Sequence, residues 1–144
     1  MSITTYLGFD FGTKRIGVAV GQTLTGTATP LTTIRVINGR PDWRNITALI
    51  RQWHPDALVV GLPLTMTASS QPLTAKAEKF ARQLAGRFRL RVHRAEERLT
   101  TYAAKSSLRS NGDLDPVAAQ VILESWLADQ LHKQAPTLPG NELS

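Results

Sequence analysis

Acidic side chains at three separated places in the chain could together bind a divalent metal ion. They are Asp10, Glu96 with Glu97, and Asp115, which directly precedes Pro116. Phosphodiester hydrolysis by two metal ions needs several carboxylates that converge on hard divalent cations, which activate water and stabilise the leaving oxygen. Because these residues are far apart in the chain, they can form such a site only if the fold brings them to one end of a sheet.

Asp10 lies near the end of a predicted first strand, residues 4–11. Leu7, Phe9 and Phe11 alternate there with smaller residues, so Asp10 falls on the other face of the strand. The alternative role for such a residue is to initiate the turn that begins at Gly12. The apolar surroundings favour a functional carboxylate.

Glu96 and Glu97 follow a second predicted strand, residues 90–95. If the strand continues through both, their side chains point to opposite faces, so only one can face a given site. Glu97 would then share the face of His93 and Ala95. The residues alone favour the alternative, a strand-end carboxylate paired with neighbouring arginines.

Asp115 precedes proline, which is a common start of a helix in which the Asp side chain caps free backbone N–H groups. At helical spacing, however, Asp115 projects in line with Ala119, Ile122 and Trp126, on the apolar and therefore inward face. A metal ligand would be placed at such an inward edge. Spacing alone still favours the capping role.

Positive charge is concentrated in one segment. Residues 76–109 contain ten Lys and Arg against three Asp and Glu, a local balance of +7, whereas the rest of the chain carries −1. Arginine suits bidentate phosphate contacts, and clustered basic residues are the electrostatic footprint of a nucleic-acid binder. A solvated surface that only aids solubility explains the composition equally well.

Hydrophobic periodicity predicts the order β-β-β-α-β-α-β-α-α for the elements that must position these groups. Three leading strands joined by short turns imply an antiparallel meander, and the later strand-helix-strand unit implies parallel pairing. The expected fold is α/β, a mixed five-stranded sheet flanked by helices, with Pro41 or Asp42 in the first turn of the first helix. The predicted strands span residues 4–11, 16–20, 29–37, 57–61 and 90–95, and the predicted helices span 41–53, 72–88, about 100–108 and 116 to about 134.

The chain of 144 residues is long enough for one domain with a sizeable core and too short for two ordinary ones. We expect a domain over residues 1–135 and a flexible tail over 136–144. Cysteine is absent, which excludes disulfides and thiolate sites, and no apolar run approaches the length of a membrane helix. The sequence has no secretory signal at its start, so we expect a cytoplasmic location.

The whole pattern resembles the YqgF/RuvX family, whose members have been assigned as Holliday junction resolvases and later as pre-16S rRNA nucleases. The resemblance spans nearly the whole chain, and its blocks occur in the family's order. The matching blocks are Leu7 to Val20, Val59 to Leu64, Glu96 to Thr101, and Asp115 with Ala118, Ala119 and Ile122 to Glu124.

The resemblance implies a ribonuclease H-like fold and a metal-dependent nuclease. By position, Asp10 matches the family's strand-one aspartate, Glu97 the glutamate of its Asp-Glu-Arg motif, and Asp115 the aspartate that opens the final helix. The resemblance thus favours these three as catalytic residues and as ligands of Mg²⁺ or Mn²⁺. Lys14, Arg15 and Arg98 are then the expected substrate contacts.

The chain departs from the family pattern at three places. Glu96 stands where the family usually has Asp, which conserves charge. The loop with Thr65, Thr67 and Ala68 replaces a more usual Asn-x-Asp-Gly, and no lysine immediately precedes Leu114. The last two departures bear on contacts with the substrate.

The implied partner is nucleic acid, either precursor rRNA or branched DNA, and not a membrane. The first hypothesis is a nuclease that processes the 5′ end of pre-16S rRNA in ribosome biogenesis. The alternatives are a Holliday junction resolvase and a non-catalytic RNA-binding assembly factor. The protein would be a monomer or a homodimer, and a monomer would favour RNA because a resolvase needs two sites for a symmetric junction.

A different class of enzyme shares part of the first block. Residues 10–13 also resemble the first phosphate-binding turn of actin-like ATPases and sugar kinases. Those enzymes close two domains around the nucleotide, and this chain supplies only one.

Overall fold

The computed structural model of the chain describes residues 4–62, 73–96 and 115–134. The predicted helix at about 100–108, the loop at 63–71 and the tail at 136–144 lie outside these ranges. The described elements are β1 (Thr5–Phe11), β2 (Arg15–Gln22), β3 (Ala28–Ile37), β4 (Arg40–Pro41), α1 (Trp43–Trp53), β5 (Ala57–Leu62), α2 (Leu73–Phe88), β6 (Arg91–Glu96) and α3 (Asp115–Gln134).

The strands form one sheet in the order β4-β3-β2-β1-β5-β6. Strands β1 to β4 pair antiparallel, whereas β5 pairs parallel with β1, and β6 pairs parallel with β5. The predicted mixed sheet, a meander followed by a parallel unit, is therefore confirmed. Helices cover both of its faces.

The described residues form six strands of this sheet, so the prediction of five was wrong. The extra strand, β4, follows the turn at Asn38 and Gly39, whose φ angles of 52° and 75° are those of a tight hairpin. Two residues are too short to show any periodicity, and proline in a strand is tolerated at a sheet edge such as this one. Asp42 caps α1 by accepting a hydrogen bond from Asn45 N–H, so Pro41 lies before the helix and not in it.

Alternation along the strands gives the sheet two unlike faces, which we call the large-residue face and the small-residue face. Helices α1 and α2 pack on the first, and α3 packs on the second. In the three central strands the large-residue face carries Leu7, Phe9, Phe11, Ile16, Val18, Val20, Leu58, Val60 and Leu62. The small-residue face carries Gly8, Gly17, Ala19, Gly21, Ala57, Val59 and Gly61, together with Tyr6, Asp10 and Arg15.

Glycine lets α3 lie directly on the strands. A Cβ added to Gly8 would stand 3.0 Å from Leu123 Cβ, and one added to Gly21 would stand 3.0 Å from Leu123 Cδ2. The helix is also tied to the start of β3: Gln120 donates to Ala28 O at 3.0 Å, and Ala28 N–H donates to Glu124 Oε2 at 2.9 Å. The helix therefore has one fixed height above the sheet.

Candidate metal and nucleic-acid site

Asp10 and Asp115 converge at Gly17. Asp10 lies directly opposite Gly17 in the β1–β2 ladder, and residues that face each other in an antiparallel pair project from the same face. A Cβ at Gly17 would collide with the backbone carbonyl oxygen of Asp115. The first residue of α3 and the carboxylate of β1 are therefore neighbours on the small-residue face.

Both carboxylates are withdrawn from solvent. Asp10 is 3% exposed and Asp115 is 9% exposed, and they are the buried charged residues among those described. Ionised carboxylates are costly to bury unless hydrogen bonds or positive charge compensate them. Two such groups beside one glycine form a place where positive charge is strongly favoured.

Arg15 supplies part of that positive charge. Its Nε donates to Asp115 Oδ2 at 2.7 Å, joining the start of β2 to the start of α3 across 100 residues of chain. The Asp115 side chain is 12% exposed and the Arg15 side chain is 45% exposed. The guanidinium has five N–H donors, so it can hold Asp115 and still donate toward solvent or toward a phosphate.

The row of residues that crosses the sheet at Asp10 is made of small side chains. In register, Gly17 of β2 pairs with Asp10, Asp10 with Gly61 of β5, and Gly61 with Ala95 of β6. From β2 to β6, Asp10 is the only residue of this row with a side chain larger than a methyl group, and Thr33 of β3 continues the row beyond Gly17. The sheet thus places no bulky side chain beside this carboxylate, and the backbone of Asp115 occupies the space above Gly17.

The predicted site residues fall into three groups according to their position. Asp10, Asp115 and Arg15 lie together. Lys14, the neighbour of Arg15, lines a cleft with Phe11 and Phe80 on the large-residue face. Glu97 and Arg98 lie outside the described residues, so their roles stay predictions.

Within the described ranges, no three His, Cys, Asp or Glu side chains form a cluster able to hold a metal ion. The described part of the predicted ligand set is two carboxylates, Asp10 and Asp115. Oxygen donors of this kind are the ligands preferred by Mg²⁺ and Mn²⁺, so the residues present fit such an ion.

Two features of the site were missed by sequence reasoning. The first is the pairing of Arg15 with Asp115, since no local pattern links residues so far apart. The second is the role of Gly17 as the contact point. Glycine at positions 8, 17 and 21, on the face opposite the large apolar residues, was the available indication that a backbone approaches there.

Comparison with known proteins now identifies the chain's relatives. A family model described as RuvX, Holliday junction resolvase, matches residues 4–129. The chain belongs to the RuvX family. A protein of Pseudomonas paraeruginosa (strain DSM 24068 / PA7), provisionally designated pre-16S rRNA nuclease, is 50% identical and is aligned over 85% of this chain and 91% of its own. A protein of Pseudomonas fluorescens (strain Pf0-1) with the same designation is 49% identical over 88% of this chain and 94% of its own.

The fold has a counterpart among solved structures. The RuvC protein of T. thermophilus in complex with a Holliday junction substrate superposes with a TM-score of 0.58 at 12% identity, covering 90% of this chain and 96% of that one. This likeness confirms the ribonuclease H-like fold that the sequence predicts for this RuvX protein. None of the described helices is long and apolar enough to cross a membrane.

Proposed function

We propose that this RuvX protein is a metal-dependent nuclease that hydrolyses phosphodiester bonds at the 5′ end of pre-16S rRNA, a cytoplasmic step of ribosome biogenesis. The observation that carries the proposal is the convergence of buried Asp10 and Asp115 at Gly17. The designation of relatives at about 50% identity supports the choice of RNA.

Asp10, Glu97 and Asp115 would hold one or two Mg²⁺ or Mn²⁺ ions. The first and last are buried acidic residues that meet at Gly17, and a divalent cation would offset the like charges of their carboxylates. Ala95 lies in the same row as Asp10 and contributes to the core under α3. Because side chains two positions apart in a strand share a face, continuation of β6 would place Glu97 on the face of Asp10, which supports its proposed role. Bound there, such an ion supplies an activated water and stabilises the leaving oxygen.

Arg15 would act on both protein and substrate. Through Nε it fixes the orientation of the Asp115 carboxylate, and its other N–H groups can donate to a phosphate. Arg98 is proposed as a second substrate contact, next in sequence to Glu97. Lys14 is proposed to contact the substrate from the opposite face of the sheet.

Asparagine substitutions separate the metal-ligand role of each aspartate from its structural role. Asn caps a helix about as well as Asp but lacks the charge that a hard cation requires. We expect Asp10→Asn and Asp115→Asn each to lower Mg²⁺-dependent cleavage of a pre-16S rRNA fragment more than about a hundredfold. Loss of a residue that only supports a metal ligand usually costs less than this, about 10–100-fold. RNA binding without metal should be largely retained.

Asp42→Asn is the matched control, because Asp42 also stands at a helix start but lies at the edge of the large-residue face. It should cleave like the wild type. Unchanged cleavage by Asp10→Asn would refute the proposed metal site, and equal losses in all three variants would point to a structural effect.

A second candidate function is resolution of branched DNA. The description of the family as Holliday junction resolvases favours it. Cleavage of a four-way junction and of the rRNA fragment should therefore be measured side by side, with the oligomeric state of the protein determined in the same buffer. Preference for the junction by a dimer would replace the rRNA proposal, and metal-independent binding without cleavage would favour an assembly factor.

A further inference from the structure

A cleft of about 460 Å³ opens on the large-residue face, beside the end of β1. Phe11, Val36, Pro41 and Phe80, all buried residues, form its apolar floor. The volume lies within the range of about 300–1,000 Å³ that is typical of small-ligand sites. The cleft is thus large enough to receive a group with a flat apolar body.

Three lysines surround this floor. Lys14 comes from the turn before β2, and Lys76 and Lys79 come from the first half of α2, one turn apart. All three are exposed, and the described residues that line the cleft include no carboxylate. The cleft therefore favours a ligand that is anionic at its edge and apolar at its centre.

The walls are held in place before any ligand binds. The Phe80 ring packs against Phe11 with centroids 5.2 Å apart and stacks on Trp43 at 5.7 Å. The tight turn at Asn38 and Gly39 forms one rim, with both residues at positive φ. Side chains that are already packed lose little entropy on binding, so the cleft is suited to a rigid ring.

The side chains of Thr13, Asn38 and Gln83 add polar groups to the lining. A hydroxyl and two amides both donate and accept hydrogen bonds, which matches the edge of a nucleobase. Inorganic phosphate would make no use of the apolar floor. An apolar peptide would leave three ammonium groups without a counter-charge.

The cleft and the carboxylate site share one edge of the sheet. Asp10 and Phe11 are consecutive in β1 and project from opposite faces of the sheet. Lys14 and Arg15 are also consecutive: Lys14 lines the cleft, whereas Arg15 contacts Asp115 on the other face. The turn between them is fixed to the cleft wall, because Val36 N–H donates to Lys14 O at 2.9 Å. A polynucleotide that passes around this edge can contact both places at once.

We propose that the cleft binds one unpaired nucleotide of the nucleic-acid strand that crosses the carboxylate site. Its base lies on the apolar floor, and its flanking phosphates contact Lys14, Lys76 and Lys79. The proposal rests on the proposed function for the nature of the strand. It adds a requirement for a single-stranded nucleotide next to the scissile position.

Binding of a short single-stranded oligouridylate, measured without divalent metal as a function of salt, tests this proposal. The double variant Lys76→Ala/Lys79→Ala should bind about tenfold more weakly, and the slope of log K against log salt should fall by about 1.4, since each lost contact to a single strand contributes about 0.7. The control Arg44→Ala/Arg82→Ala removes the same charge from exposed positions of α1 and α2 outside the cleft lining. It should change both quantities much less.

Gln83→Trp fills the cleft without changing charge. We expect it to weaken oligouridylate binding severalfold while its thermal unfolding stays close to that of the wild type. Uridine 5′-monophosphate should compete with the oligonucleotide for the wild-type protein, whereas inorganic phosphate and oligoglutamate should not.

Several results would overturn the cleft proposal: equal losses in the two double variants, wild-type affinity in Gln83→Trp, or competition by oligoglutamate as strong as that by the nucleotide. Because these measurements need no cleavage, they are separate from the test of nuclease activity. If the protein binds the oligonucleotide through the cleft but cleaves no substrate, only the proposed function is refuted. If cleavage depends on Asp10 but the cleft substitutions leave the affinity unchanged, only the cleft proposal is refuted.

Discussion

The two faces of the sheet use the same strands for different purposes. On the large-residue face, side chains such as Phe9, Val18 and Val60 are fully buried and fill the space beneath α1 and α2. On the small-residue face, glycine and alanine leave that space empty, so the backbone of α3 reaches the strands and delivers Asp115 to Asp10. Large side chains on one face stabilise the fold, and small side chains on the other let α3 approach and form the candidate site.

Substitutions at two neighbouring residues of β2 test this difference between the faces, and they have the largest expected effect on cleavage. Gly17→Ala places a methyl group against the Asp115 carbonyl and must displace the start of α3, at a cost of about 1–3 kcal/mol in the free energy of unfolding. Val18→Ala, on the other face, removes about two buried methyl groups and should cost about 2 kcal/mol. Despite similar stabilities, cleavage of the rRNA fragment should fall by up to about a hundredfold in Gly17→Ala and stay near wild type in Val18→Ala.

Urea unfolding and cleavage per folded molecule give both quantities for each variant. If cleavage tracked stability alone, the two variants would lose activity equally, and the distinction between the faces would fail.

The substitution Arg15→Gln tests whether Arg15 orients the Asp115 carboxylate on the small-residue face. The bond from Arg15 Nε to Asp115 Oδ2 orients a proposed ligand, and loss of such a supporting contact commonly lowers metal affinity or activity about 10–100-fold. Arg35→Gln is the control, since Arg35 pairs with Arg15 across β2 and β3 and is also exposed. The apparent Mg²⁺ affinity in the cleavage reaction should weaken only in Arg15→Gln, and a normal Mg²⁺ dependence there would remove Arg15 from the site.

The smallest effect concerns His93, at the outer part of the small-residue face. Its ring lies 4.8 Å from that of Trp126 and 6.3 Å from that of Tyr6. Burial first, and the charge of Arg91 second, lower the pKa of His93 below its ordinary value of 6.5. The unfolded chain therefore takes up the proton more readily, so stability is retained above pH 6.5 and is lost as the pH falls through the folded pKa.

His93→Asn should flatten this decline in the free energy of unfolding below pH 6.5, as measured by urea titration at a series of pH values. An unchanged pH profile would show that His93 does not contribute to it.

Local patterns in the sequence were sufficient to predict much of the fold. The alternation of Leu7, Phe9 and Phe11 with small residues gave the two faces of β1, and helical spacing predicted α1, α2 and α3. The short β4 was missed because two residues carry no period. The placement of Asp10 on the face opposite Leu7, Phe9 and Phe11 also followed from alternation, since side-chain direction in a strand is a local property. That this second face is covered as well, by α3, was not predicted.

The contacts of the site depend on how distant elements pack. Nothing near Asp115 indicates that Arg15 binds it or that Gly17 receives its carbonyl, because those contacts depend on the height of α3 above the sheet. Sequence spacing alone favoured a capping role for Asp115. The structure buries this residue, places its backbone carbonyl against Gly17 and gives its carboxylate an arginine partner, while its capping role stays a prediction.

In the proposed function, Asp10 and Asp115 form one cation site. Calorimetric titration of Mn²⁺ into the wild type, Asp10→Asn, Asp115→Asn and the double variant tests it directly, with Asp42→Asn as the control. If the two carboxylates share an ion, each single variant should lose nearly as much Mn²⁺ affinity as the double variant, while the control binds like the wild type. Wild-type affinity in either single variant, or losses that simply add in the double variant, would contradict a shared site.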